Sequence, residues 1–123
     1  MRAIALNAAG PAHSSVEMET EVGRLRGTWR GANEIAKGDS VDVELELPRL
    51  RTVPEIVFGP SEGLASGLIR GTVAAVFDDG VFVLQIGSAA VQIELDGDAL
   101  PGEFLGANIG LEADDLEFYP SGV

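Results

Sequence analysis

The chain has 123 residues, no cysteine and a formal net charge of -12, and hydrophobic residues make up 46% of it. That is enough apolar material for one ordinary domain and too much for a disordered chain. Disulfide staples and thiolate metal sites are excluded, and the absence of cysteine fits a cytoplasmic location. No apolar run approaches the ~20 residues of a membrane-spanning helix.

Charge is unevenly spread. Residues 1–58 hold seven basic and nine acidic side chains, net -2. Residues 59–123 hold Arg70 against eleven acidic side chains, net -10. Phosphate backbones and anionic membrane surfaces would be repelled, so neither nucleic acid nor membrane is expected as a partner. A basic protein would be attracted, mainly in its rate of association.

In chain order, 2–9 reads as a first strand; Asn7 interrupts it too early for a secretory leader. The stretch 15–31 alternates Val16, Met18 and Thr20 with Glu17, Glu19 and Glu21, then flips phase after Gly23. A flip needs a turn or a bulge. A hairpin with Val22-Gly23 as its loop sets Glu19 opposite Arg26 and Val16 opposite Trp29, with Trp29 in the core. Val41–Leu47 alternates cleanly. Folded against the preceding strand, it completes a charge ladder Glu19–Arg26–Glu44. Pro48 and Pro54 bar a central strand between them, and 54–58 reads as a short edge strand.

The stretch 68–95 is the clearest signal: three apolar runs in an antiparallel meander. Asp78-Asp79-Gly80 fits a three-residue hairpin loop, pairing Val76 with Phe82 and Ala74 with Leu84. The next turn is placed at Ser88-Ala89, pairing Leu84 with Ile93 and Gln85 with Gln92. Phe77, Val81 and Val83 make the second face apolar near Asp78, so that end is expected to be covered. The other end, with Gln85, Gln92 and Glu94, should face water or a partner. Ala107–Leu111 and Leu116–Tyr119 read as closing strands, with one helical turn at Ala113–Asp115.

No stretch carries apolar residues at helical spacing over ~10 positions. The fold class expected is all-β: a small antiparallel barrel or sandwich of nine or ten short strands, built from two meanders, with at most one short helical turn. The turn rhythm of the C-terminal half is that of oligonucleotide-binding-type, or OB-like, barrels. The chain is taken as a single all-β domain, 1–123, with sub-barrels 1–58 and 68–120 joined by the loop 59–67 as the alternative. Lys37–Val43 and Leu105–Leu111 share a Gly–polar–polar–aliphatic–x–aliphatic pattern, which a duplicated small barrel would explain.

Catalytic and cofactor motifs are absent. His13 is the single histidine and sits in a loop beside Ser14 and Ser15, with nothing to orient it. The carboxylate pairs Asp78/Asp79, Asp96/Asp98 and Asp114/Asp115 are read as turn chemistry, not metal ligands. Neither an enzyme activity, a metal nor a cofactor is expected. Arg49 and Arg51 lie in a proline-bounded loop, and arginines there suit an anion or a carboxylate. The first functional reading is a non-catalytic acidic interaction protein, inhibitor-, immunity- or adaptor-like, that docks a basic partner through Glu94, Asp96, Asp98, Glu112, Asp114 and Asp115. The alternative is a small-ligand or anion-binding barrel with its pocket near Arg49 and Arg51. A homodimer is compatible with either, since the apolar end at Phe77 and Val81 wants cover.

Overall fold

The computed structural model describes residues 1–59, 68–97 and 99–121. Among them the chain is all-β, as its alternation predicts. The strands are β1 (Arg2–Ala5), β2 (Ser15–Thr20), β3 (Gly23–Trp29), β4 (Ser40–Glu46), β5 (Val57–Phe58), β6 (Leu68–Val76), β7 (Val81–Ile86), β8 (Ala89–Glu94), β9 (Asn108–Glu112) and β10 (Glu117–Pro120). Short 3-10 turns lie at Val53–Glu55 and Gly102–Phe104. The helical turn expected at Ala113–Asp115 is instead a tight turn at Asp114 and Asp115. No helix of the described residues is long and apolar enough to cross a membrane.

The chain forms two compact units, Met1–Glu46 with Asp115–Val123, and Leu47–Asp114. The first is a closed barrel in the order β1-β2-β3-β10-β4. β1 is antiparallel to both β2 and β4. β10 is antiparallel to β4 and parallel to β3. One parallel pair closing an otherwise antiparallel five-stranded ring is an OB-like arrangement. Ala3, Val16, Met18, Trp29, Val43 and Phe118 are buried in this unit. Gly27 sits among large alternating residues because β10 passes close by: a Cβ there would lie 2.6 Å from the Leu116 carbonyl oxygen and 2.8 Å from the Phe118 ring.

The β2–β3 hairpin turns one residue earlier than expected, at Glu21-Val22, which shifts each cross-strand partner by two and pairs Glu19 with Arg24 and Glu17 with Arg26. Gly23 takes φ +104°, which costs glycine little. The Thr20 hydroxyl donates to the Gly23 carbonyl at 2.7 Å and accepts from the Val22 N–H at 3.2 Å. A two-residue shift preserves which face each side chain occupies, so the charges stay outside. The Glu19–Arg26–Glu44 ladder does not form. Closure of the ring puts β10 between β3 and β4, and Glu44 pairs with Tyr119 instead.

The second unit is a five-stranded sheet in the order β5-β9-β6-β7-β8. β6 pairs antiparallel with β7 and β9, and β7 with β8. The first turn of the meander falls at Asp78–Gly80 as expected, with Val76 opposite Phe82. A bulge between Val73 and Ala75 then sets Val73, not Ala74, opposite Leu84. The second turn is Gly87-Ser88, again one residue early with partners shifted by two, and again every side chain keeps its face. Phe82, Leu84, Ile86, Val91, Ile93 and Leu111 are buried. On the opposite face near Asp78, Phe77 is 48% exposed, while Val81 and Val83 are half-buried.

Both units share one connectivity. In each, a first strand pairs with the second and fourth, and the second with the third. A fifth segment runs antiparallel to the fourth and parallel to the end of the third. In the first unit that segment is β10. In the second it is the stretch 51–58, in which Arg51 bridges parallel to Leu95 and β5 pairs antiparallel with β9. The repeat noted in the sequence falls on corresponding fourth strands: Gly38 (φ +91°) precedes β4 and Gly106 (φ +86°) precedes β9. The fifth segments are exchanged. The one that completes the second unit follows β4, and the one that completes the first follows β9. The unit boundaries therefore fall after Glu46 and after Asp114, not within 59–67, and 47–58 belongs with the second unit.

The first barrel depends on β10. Phe118→Ala is expected to destabilise it by about 3–5 kcal/mol, the usual cost of emptying a buried phenylalanine site. Gly27→Val should push β10 off β3 with a comparable loss. Urea denaturation followed by Trp29 fluorescence measures both.

Candidate functional site

Arg51 is the only buried charged residue among the described ones, 1% exposed. A buried guanidinium must be met by acceptors. Here they include main-chain carbonyls. Nη1 donates to Arg49 O at 2.9 Å and to Leu47 O at 3.4 Å, and Nη2 donates to Glu112 O at 2.8 Å. The main chain of Arg51 is engaged as well. Its N–H donates to Glu94 O at 2.9 Å, and its carbonyl accepts from the Asp96 N–H at 2.7 Å. One residue thus ties the end of β8 to the end of β9, although β6 and β7 separate those strands in the sheet.

Arg49 is held beside it by carboxylates. It pairs with Glu55 at 2.8 Å and Asp114 at 3.2 Å. Glu55 also accepts from the Thr52 N–H at 2.6 Å and hydroxyl at 3.2 Å. These bonds, led by Arg49, hold the Glu55 carboxyl down at about 2, and the two carboxylates raise the already high pKa of Arg49 further. Glu55 escaped the sequence reading, yet Thr52-Val53-Pro54-Glu55 carries the Ser/Thr-x-x-Glu spacing of a capping box.

The structure therefore gathers most of the expected site residues at one end of the second unit, in an unexpected relation. Arg49 and Arg51, expected to greet a ligand, are engaged within the fold. Glu94, Asp96 and Glu112 lend main-chain groups to Arg51 while their side chains are exposed, and Asp114 holds Arg49. No ion-pair partner meets the Glu94, Asp96 or Glu112 carboxylate among the described residues. Asp98 lies outside the described residues, and Asp115 belongs to the first unit. Asp79 accepts from the Val81 N–H at 3.2 Å, which is turn chemistry. His13 is exposed in its loop, where its backbone bridges Gly10.

Four arginines of the first unit are also paired: Arg2 with Asp42, Arg24 with Glu19, Arg26 with Glu17 and Arg30 with Glu117. On the outer face of β10, Tyr119 lies 3.3 Å from Glu117; partial burial, then that carboxylate, raises its pKa above the ordinary value. Counted by unit, five basic side chains stand against ten acidic ones in the first, net -5, and three against ten in the second, net -7. The exchange of fifth segments evens out the imbalance seen along the sequence.

Two outcomes are expected. Arg51→Met leaves at least three carbonyls without their donor and should cost about 3–5 kcal/mol in urea unfolding, in line with losing one partner of a buried polar network. The Glu55 carboxyl has a folded-state pKa below its ordinary 4.5, so its contribution is present above that value and is lost as pH falls toward about 2. Glu55→Gln should flatten the dependence of stability on pH between those limits.

No family model matches the chain, and neither the curated proteins nor the solved structures give a match to it.

Proposed function

We propose that this chain is a non-catalytic acidic interaction protein that docks a basic protein partner through the Arg51 end of its second unit. One observation carries the reading. Six of the eight basic side chains, Arg2, Arg24, Arg26, Arg30, Arg49 and Arg51, are engaged within the units, while Glu94, Asp96 and Glu112 are exposed without a cationic partner among the described residues. Carboxylates left over in this way set up a negative field that steers a cationic surface. They also sit on a strand end that Arg51 anchors, so a partner meets a preorganised surface. The alternative, an anion or small ligand held by Arg49 and Arg51, is weakened by the bonds both residues already make.

A lysine-rich peptide tests the reading. Its affinity, read by fluorescence anisotropy, should weaken by about tenfold or more between roughly 0.05 and 0.5 M salt as exposed charges are screened. The double change Glu94→Gln and Asp96→Asn should weaken it at low salt and reduce the salt dependence. Affinity indifferent to both salt and these changes would refute electrostatic docking.

A further inference from the structure

We infer that the open edge of β8 takes up a basic partner segment as an added β-strand; this rests on the acidic-docking reading above and names the partner's form, an extended chain with cationic side chains.

The direction of the β8 main chain follows from two bonds. The Glu94 carbonyl points away from β7, because it accepts from the Arg51 N–H. The Leu95 N–H points toward β7, because it donates to Gly80 O at 2.9 Å. Peptide groups alternate along an antiparallel strand, so Ala90 and Gln92 present their N–H and C=O groups on the same side as Glu94. β8 is terminal in the order β5-β9-β6-β7-β8. Among the described residues, the one bridge on its outer side is Arg51, at the Leu95 end. Among the described residues no strand lies on the edge from Ala90 to Gln92, which therefore offers a short ladder; at Glu94 the carbonyl is already taken by Arg51.

Three features fit this edge to an incoming chain. First, the fold already uses it that way: Arg51 joins it in parallel register, with an N–H···O bond to Glu94 on one side and a bond from Asp96 on the other. Second, it lacks the usual guards. Edge strands are protected by charges, prolines or shortness. On β3, the corresponding strand of the first unit, the outward positions are Arg24 and Arg26, each paired with a glutamate, and β10 covers the far end. On β8 those positions are Ala90 and Gln92, exposed and uncharged. Third, the charges at the end of the edge select the occupant. Glu94 and Asp96 are exposed there without a cationic partner among the described residues. A strand carrying Lys or Arg at alternate positions would set main-chain bonds against Ala90 and Gln92 and its cations beside Glu94 and Asp96.

The experiment uses the full chain and two synthetic octapeptides of alternating lysine and threonine, one unmodified and one N-methylated at alternate residues so that one edge cannot form hydrogen bonds. The expected result is that N-methylation weakens binding on the order of tenfold or more, as losing two or three ladder bonds requires. Amide exchange at Ala90, Gln92 and Glu94 should slow when the unmodified peptide binds. Gln92→Pro, which removes one edge donor, should weaken the unmodified peptide alone, provided its circular dichroism matches the parent. The peptide pair decides the matter if that variant does not fold. Equal, salt-sensitive binding of both peptides with no slowing at β8 would overturn strand addition and leave acidic docking standing. Failure of both peptides to bind would overturn both readings. Slow exchange at Ala90 and Gln92 in the free chain that rises with its concentration would show a second copy on the edge and would also overturn the proposal.

Discussion

The bonds made by Arg51 are the constraint on which the second unit turns. A guanidinium 1% exposed is tolerable only where acceptors surround it, and this one is met by the carbonyls of Leu47, Arg49 and Glu112. Its main chain meanwhile extends β8. The sheet order alone would leave the ends of β8 and β9 apart; Arg51 fixes them to one another. It also fixes the path of the chain directly after Pro48, where the backbone has just left the first barrel. Lysine offers a point charge and could not serve three carbonyls spread around a planar fork.

That fixed path has a consequence for how the protein is built. Each unit has four consecutive strands; the fifth segment of the first, β10, comes from beyond the second unit in sequence, whereas that of the second, 51–58, lies before its own first strand. Arg30 and Glu117 pair across 87 positions to hold β10. Contacts so far apart in sequence are costly to close before they contribute stability. They also leave the first unit incomplete until the chain has run through the whole of the second.

Much of the architecture was legible because period-2 alternation is a local signal. Val41–Glu46 and Val81–Glu94 show their buried faces in the residue order itself. Both hairpins with two-residue loops turn one position before the expected place, and the faces survive because this moves each cross-strand partner by two and leaves the alternation in phase. Partner choice was not legible in the same way. β4 has an acidic outer face that suits the arginines of β3, and nothing local says that Glu117–Pro120 will lie between them. Gly27 held the clue, since a glycine among large alternating residues marks a close approach. The site was legible in its residue types but not in their roles. Arg49 and Arg51 look like ligand anchors from composition. Only the fold shows that one is buried among carbonyls and the other is held by Glu55 and Asp114.

Edges complete the logic. Closing a ring removes edges, and the first unit does so with β10. The second unit is held by a segment that changes character along its length. It starts as a single bridge at Arg51, turns through Val53–Glu55, and becomes a two-residue strand on β9. Because Pro48 and Pro54 bracket it, it cannot lie along the whole of β8 as a regular strand. The same residues that make the crossing possible therefore leave Ala90–Gln92 uncovered by it. An uncovered edge in a natural protein is a liability unless it is guarded or used. The guard found on β3, paired arginines, is missing from β8, whereas two carboxylates remain at its end. An edge of that kind resists pairing with a second acidic copy through charge repulsion, and it favours a cationic chain for the same reason.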